Sequence, residues 1–148
     1  MSLNIFEYVN NLATAYYKQG EVIFEQGQDS DGRMYFVSEG EMSVSRQIDG
    51  ADYTIATLGP GAFFGEMAIL NRNPRSATIR VQTKHAKLGY IDEPMFLRIS
   101  RNDPVFPFSL LKLILERTAE VEDAIAETRH KLHEMKAGGG GGDPYSMG

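Results

Sequence analysis

The residues best suited to chemistry lie in one stretch of the chain, residues 61–81, which reads GAFFGEMAILNRNPRSATIRV. Arg75 carries a permanent charge on a planar group that suits phosphate oxygens, and the hydroxyl of Ser76 is a second donor beside it. Glu66 precedes them, and a carboxylate beside an anion site is costly unless it accepts hydrogen bonds, for example from sugar hydroxyls. Together the three residues predict a ligand that carries a phosphate and a vicinal hydroxyl.

The backbone of the same stretch is suited to a close approach. Gly65 permits a tight turn or close contact between the backbone and a ligand. Met67–Leu70 is an apolar patch of about one helical turn, and the unpaired N–H groups at the start of even a short helix favour an anion. Residues 62–64 and 77–79 are predicted strands that hold this turn between them.

Residues 64–78, FGEMAILNRNPRSAT, resemble the phosphate-binding cassette of the cyclic nucleotide-binding domain family, which includes catabolite activator protein and the regulatory subunits of cyclic-AMP-dependent protein kinase. We call these residues the cassette. Two upstream segments, YKQGEVIFEQG and MYFVSEGEMSV, resemble the opening strands of the same family. One departure is the loop between Gly27 and Tyr35, which is about one residue longer than the usual family spacing.

The resemblance implies an intact binding pocket for a cyclic nucleotide. The residues expected at the cyclic phosphate, through a side chain or the backbone, are Arg75, Ser76, Ala77, Met67 and Ala68. Those expected at the ribose are Glu66, which accepts the 2′-hydroxyl, and Gly65. Those expected near the base are Thr118, Val121 and Glu122. Ser76 is compatible with cyclic AMP and cyclic GMP, and the resemblance to an AMP receptor favours cyclic AMP as the ligand; no cofactor is expected.

Length and composition limit the class of protein. The 148 residues suit one domain, and the absence of cysteine excludes a disulfide framework, a thiolate nucleophile and a zinc–thiolate site. The net charge of −5 argues against a nucleic-acid-binding surface, which is normally basic. The start of the chain lacks a signal-peptide pattern, and no apolar run approaches a membrane span, so we expect a cytoplasmic location without membrane contact.

Short apolar runs separated by turn residues predict strands from about residue 13 to about residue 91. Their spacing predicts an antiparallel sandwich or barrel, and the resemblance specifies a double-stranded β-helix, or jelly roll. Asp49 and Gly50 predict a hairpin turn within it. Apolar residues at helical spacing predict a short N-terminal helix on the flank of the barrel: Ile5, Tyr8, Val9 and Leu12.

The C-terminal third is predicted to be helical. Asp92 and Pro94 mark one helix start, and a long helix is expected over about residues 107–136. Apolar or small residues of this helix form a heptad seam: Leu111, Ile114, Thr118, Val121, Ile125, Thr128, Leu132 and Met135. A parallel two-helix homodimer would bury this seam, and packing against the chain's own barrel is the alternative. The domain is thus expected over residues 1–136, with residues 137–148 a flexible glycine-rich tail.

The function predicted is a receptor module that couples ligand binding to movement of its C-terminal helix. A barrel enzyme would need clustered metal ligands, yet two of the three histidines, His130 and His133, lie on the long helix, so neither a metal site nor an enzyme is expected. No helix-turn-helix fits in the residues after this helix, so DNA binding by this chain alone is not expected. Two alternatives stay open, a dimerisation module with an unoccupied pocket and the sensor part of a larger transcription regulator, channel or kinase subunit.

Overall fold

A computed structural model describes residue 5 and residues 12–136, apart from the side chains of residues 118–121, 124 and 136. Most of the predicted N-terminal helix and the glycine-rich tail therefore lie outside the described residues. The strands are β1 (Thr14–Lys18), β2 (Val22–Phe24), β3 (Met34–Glu39), β4 (Met42–Ile48), β5 (Ala51–Leu58), β6 (Phe63–Phe64), β7 (Thr78–Val81) and β8 (His85–Ile91). The helices are α1 (Met67–Leu70), α2 (Glu93–Asn102) and α3 (Val105–Lys136).

The strands form two four-stranded antiparallel sheets, ordered β1-β8-β3-β6 and β2-β7-β4-β5. Successive strands mostly alternate between the two sheets, as in a jelly roll. The predicted antiparallel jelly-roll fold is therefore confirmed, although the described strands pair as two sheets and not as one closed ring. We call the β1-β8-β3-β6 sheet the first sheet and the other the second sheet.

Strand β3 shows how the sequence positions both layers of the core. Neighbouring side chains of a strand point to opposite faces. Met34 and Phe36 pack in a cluster with residues of α2 and α3, while Tyr35 and Val37 pack in the cluster that also contains residues of the second sheet. Both faces of β3 are covered, and its residues Met34–Val37 are therefore all apolar, without the alternation of apolar and polar residues seen in a strand with one face in water.

The hairpin between β4 and β5 is formed as predicted. Asp49 and Gly50 both have positive φ, 53° and 83°. Two successive positive φ values are typical of the two-residue turn whose twist matches antiparallel strands. Aspartate tolerates this conformation better than most residues and glycine adopts it without a steric penalty.

Both helix starts follow from side-chain caps. The carboxylate of Asp92 accepts a hydrogen bond from the backbone N–H of Met95 at 3.0 Å, which confirms the predicted start of α2. Asp103 similarly accepts from the N–H of Val105 at 3.0 Å, so α3 begins at Val105, before the predicted start near residue 107. Pro107 falls within the first turn, where its missing N–H breaks no helical hydrogen bond.

The heptad seam of α3 is not a uniform surface. Leu111 and Met135 are 54% and 77% exposed, whereas Ile125 is 7% exposed within the single chain. Helix α3 also contacts β5. Ile125 is therefore buried within the single chain, whereas Leu111 and Met135 are exposed, and both the dimer and the packing of α3 on the chain's own barrel stay predictions.

Candidate functional site

The cassette crosses from the first sheet to the second, because it connects β6 with β7. Its predicted helical turn is formed as α1, in which the N–H of Asn71 donates to the carbonyl of Met67 at 2.9 Å. The N–H of Ala68 donates to the carbonyl of Gly65 at 3.1 Å and is thus engaged within the turn itself. The cassette therefore connects the two sheets through a short helical turn.

Arg75 is the most constrained cation of the cassette, with 6% of the residue exposed. Its Nη1 donates to the carbonyl of Gly65 at 3.3 Å, and its Nη2 donates to the carbonyl of Arg33 at 3.1 Å. The guanidinium carbon lies 4.0 Å from the ring centroid of Phe24, which favours a cation electrostatically. These contacts fix the orientation of the buried guanidinium before a ligand binds. Binding therefore does not carry the entropy cost of ordering this side chain.

Asp31 supplies the carboxylate partner of Arg75. Its Oδ1 accepts from Nη2 of Arg75 at 2.5 Å, and its Oδ2 accepts from the hydroxyl of Tyr35 at 2.8 Å. Burial, with the hydrogen bond to Asp31, raises the pKa of Tyr35 above its ordinary value, so the phenol remains a donor. Asp31 lies in the loop that is longer than the family spacing, and sequence analysis did not identify it as a contact of the site.

Gly65 is required by the approach of Arg75 and not only by the turn. Its φ is 77°, which disfavours residues with a side chain. A Cβ at this position would lie 2.8 Å from Nη1 of Arg75 and 3.2 Å from the carbonyl oxygen of Arg33. The sequence prediction of a close approach at Gly65 therefore has a physical basis within the protein itself.

Glu66 is buried and joins the cassette to the long helix. Its Oε1 accepts a charge-assisted hydrogen bond from Nη2 of Arg117 in α3. Nη1 of Arg117 donates to the carbonyl of Phe63, and the guanidinium carbon lies 4.4 Å from the centroid of that ring. The carboxylate that was predicted to bind a ribose hydroxyl is thus also the contact between cassette and helix.

Arg117 is the main site residue that sequence reasoning missed. Its position directly precedes Thr118, which was predicted to face the base, but an arginine on a polar helix face has no distinguishing pattern. The signal that could have found it is Glu66 itself, because a carboxylate expected in a pocket needs a cation nearby when no ligand is bound.

The cassette, β4, β5 and α3 enclose a cavity of about 660 Å³. This volume lies within the usual range of small-molecule sites. The predicted phosphate and ribose residues all line it: Gly65, Glu66, Met67, Ala68, Arg75, Ser76 and Ala77. Their contacts with a ligand remain predictions, but the structure brings them to one concave surface.

Of the residues predicted near the base, Glu122 lines the same cavity from α3. The side chains of Thr118 and Val121 lie outside the described residues. Leu113, Glu116 and Arg117 of α3 also line the cavity, about one and a half to two and a half turns before Glu122. The long helix therefore forms one wall of the cavity, on the side where the base was predicted.

The described part of the chain lacks two other kinds of feature, a metal-binding cluster and a membrane-spanning helix. Among the side chains that the structure describes, no group of three or more His, Cys, Asp or Glu is placed to hold a metal ion. Over the same residues, no helix combines the length and apolar character needed to cross a membrane.

The family model of the cyclic nucleotide-binding domain matches residues 14–103. This range covers every strand, the cassette and α2, and it ends just before α3.

Two relatives show the extent of the similarity. The cAMP-dependent protein kinase type II regulatory subunit of Drosophila melanogaster is 39% identical over 88 residues, which are 60% of this chain and 23% of that protein. The cyclic AMP receptor protein of Thermus thermophilus is 34% identical over 107 residues, which are 72% of this chain and 49% of that protein. The chain thus spans half or less of the length of either relative.

A solved structure agrees with these relatives. The crystal structure of Thermus thermophilus catabolite activator protein superimposes with a TM-score of 0.69 at 29% identity and covers 79% of this chain and 55% of that one. The similarity extends beyond the residues of the family model, since 79% of the chain exceeds the matched range of 14–103.

Proposed function

The chain belongs to the cyclic nucleotide-binding domain family, and from that premise we propose that it is a receptor module for a cyclic nucleotide, with cyclic AMP as the first expected ligand. One observation carries the proposal: buried Arg75 and buried Glu66 line the same cavity, together with Ser76. An anion and a hydroxyl donor on one small molecule match these two groups, since guanidinium binds phosphate oxygens and carboxylate accepts from hydroxyls.

The choice of cyclic AMP is supported by the relatives. The names of both the kinase subunit and the receptor protein refer to this nucleotide. Ser76 is compatible with cyclic AMP and with cyclic GMP, so the preference for cyclic AMP depends on the relatives.

Glu66 gives this receptor a means of coupling. A ribose hydroxyl would donate to the same carboxylate that binds Arg117 on α3. Ligand binding would therefore change the electrostatic partner of Arg117 on the long helix. The ligand shifts α3 from the position seen here to another one only if it binds the two with different affinity. We propose that α3 carries the signal and that no catalytic step is involved.

Homodimerisation through α3 is a further part of the proposal. Leu111, Leu115 and Met135 are exposed large apolar side chains on this helix, and a second copy of the helix would cover them. Ile125 is already buried within the chain, so the interface would use only part of the predicted seam.

The central experiment is isothermal titration calorimetry with cyclic AMP, cyclic GMP and linear AMP. Replacing Arg75 with methionine should weaken cyclic-nucleotide binding by about 2–5 kcal/mol, because the phosphate would be left without its buried cation. Arg72→Met is the matched control, since Arg72 lies in the same loop, has a side chain that is 67% exposed and pairs with Glu93 on the surface. Linear AMP should bind more weakly than cyclic AMP, because its phosphate carries more charge than one guanidinium neutralises.

The outcomes separate the alternatives. Unchanged affinity in Arg75→Met, with Arg72→Met also unchanged, would show that the cassette is not the binding site. A wild-type protein that binds none of the three nucleotides would favour a dimerisation module with an unoccupied pocket. Circular dichroism of each variant establishes that the loss of binding is not a loss of fold.

A further inference from the structure

Arg46 is a third arginine on the wall of the cavity, and neither the cassette nor α3 contains it. It lies in β4, two residues after Val44, so the two side chains share one face of the strand. Val44 also lines the cavity. The last pair between β4 and β7 joins Ser45 to Thr78, which is the first residue of β7. Arg46 therefore lies just before the start of β7, beside the end of the cassette.

The guanidinium of Arg46 has a buried donor that is not satisfied. Its Nε atom is buried and has no hydrogen-bond partner among the described residues. By contrast, the guanidinium nitrogens of Arg75 and Arg117 donate to carboxylates and to backbone carbonyls. A buried N–H without an acceptor destabilises the empty protein, and an acceptor on a ligand would remove that penalty.

The part of the ligand that reaches Arg46 follows from the other contacts. In the proposed site Arg75 binds the cyclic phosphate and Glu66 binds the ribose, which leaves the base for the rest of the cavity. Around Arg46 the wall is mainly apolar, with Val44, Ile55 and Ala56. A flat base suits such a surface, and Arg46 would then meet one of its polar edges.

Starting from the proposed function, we infer that the site also accepts cyclic GMP and that Arg46 recognises the guanine by donating to O6 and N7. Arginine has only donors, and guanine presents two adjacent acceptors on this edge. Adenine presents one acceptor and one amino donor there, so it cannot satisfy both donors of the guanidinium.

A complementary group lines the cavity from α3. Glu122 of α3 lines the cavity, and a carboxylate is an acceptor. The remaining polar edge of guanine carries the N1–H and N2–H₂ donors, whereas adenine carries an unprotonated N1. The donor on β4 and the acceptor on α3 thus match the two edges of guanine.

The test compares cyclic GMP, cyclic IMP and cyclic AMP by calorimetry on wild type, Arg46→Met, Arg46→Lys and Arg80→Met. Arg80 is the matched control, because it is exposed, lies on β7 of the same sheet and does not line the cavity. Arg46→Met should weaken cyclic GMP and cyclic IMP, which both carry O6 and N7, by about tenfold or more. Cyclic AMP should change by less than about threefold, and Arg80→Met should leave all three affinities unchanged.

Arg46→Lys keeps the charge but loses the two-pronged geometry, so it should resemble Arg46→Met. Full recovery of cyclic GMP affinity by lysine would overturn the two-acceptor contact. Equal losses for cyclic AMP and cyclic GMP would also overturn the inference, since Arg46 would then act on the shared phosphate.

Failure of this inference differs from failure of the proposed function. A wild-type protein that binds cyclic AMP but not cyclic GMP overturns the role of Arg46 and keeps the receptor, whereas binding of neither nucleotide removes both. If Arg46→Met does not fold, cyclic IMP is compared on the wild type with the cyclic nucleotide of 2-aminopurine, which lacks O6. Tighter binding of cyclic IMP supports the contact, and the reverse order overturns it.

Discussion

Two arginine–carboxylate pairs flank the cavity, and they differ in which partner is buried. In the pair of Arg75 and Asp31 the cation is 5% exposed and the acid 45% exposed. In the pair of Arg117 and Glu66 the acid is the more buried member, at 12% against 23% for the arginine. The first pair connects two loops of the β domain, and the second connects the cassette to α3.

The difference indicates separate roles for the two pairs. A buried cation with a hydrated acid can exchange that acid for another anion, because the displaced carboxylate returns to water. A buried acid that loses its cation leaves an uncompensated charge, which is strongly unfavourable. We therefore expect Asp31 to compete with a ligand phosphate for Arg75, and Arg117 to hold the helix against the cassette.

The largest effect on stability is expected at the helix pair. Arg117→Met should lower the free energy of unfolding by about 2 kcal/mol, since Glu66 would keep a mostly buried charge without a partner. Adding Glu66→Gln to this variant should recover most of the loss, because the amide is neutral. Urea denaturation measures both, with Lys112→Met on the exposed face of α3 as the control.

The single variant Arg117→Met decides this side of the comparison. If Arg117→Met is as stable as Lys112→Met, the helix does not depend on the pair and the distinction between the two arginines is lost.

A smaller effect is expected at Gly65, on the side of Arg75. Gly65 and Gly50 both have positive φ, so alanine is strained in the same way at either position. Of the two, only Gly65 has other atoms within 4 Å of the added Cβ. Gly50→Ala should lower the free energy of unfolding by about 1 kcal/mol, and Gly65→Ala should lower it by about 0.5 kcal/mol more. Only Gly65→Ala should also weaken cyclic AMP, because it displaces Nη1 of Arg75.

The two alanine variants are compared by denaturation and calorimetry. Equal losses of stability, with equal affinity for cyclic AMP, would mean that the close approach of Gly65 and Arg75 does not constrain the site.

The smallest effect is expected at Asp31. Asp31→Asn should change the free energy of unfolding by less than about 1 kcal/mol, since half-exposed ion pairs contribute little. Affinity for cyclic AMP should rise by a few-fold, because Arg75 keeps its contacts with Gly65, Arg33 and Phe24 while a competing anion is removed. Calorimetry at two salt concentrations measures the affinity of Asp31→Asn for cyclic AMP. A loss of affinity would show that Asp31 orients Arg75 and does not compete with the ligand for it.

Much of the fold and of the phosphate side could be predicted from local pattern. The Asp49–Gly50 turn and the cap at Asp92 depend on residues within four positions of each other, so sequence alone specifies them. The start of α3 was predicted near residue 107, but the helix begins at Val105. Asp103 caps this start through its side chain, whereas Pro107 suggested a break in the helix. Such boundary shifts arise when two local signals compete.

The partners of the site were not predictable in the same way. Asp31 and Arg75 are 44 residues apart in the sequence, and Glu66 and Arg117 are 51 residues apart. Arg46 lines the cavity from β4, which pairs with both β5 and β7. No local pattern distinguishes these arginines from others on polar surfaces.

The sequence by itself determined the cassette, the order of strands and helices, and the residue types offered to a phosphate and a ribose, because each depends on short-range spacing and backbone preference. Only the tertiary structure decided which cation lies beside which carboxylate, that Glu66 serves the helix as well as the pocket, and that Arg46 lies on the cavity wall. The physical reason is that charges act through space, and folding sets the distances and the burial on which their interactions depend.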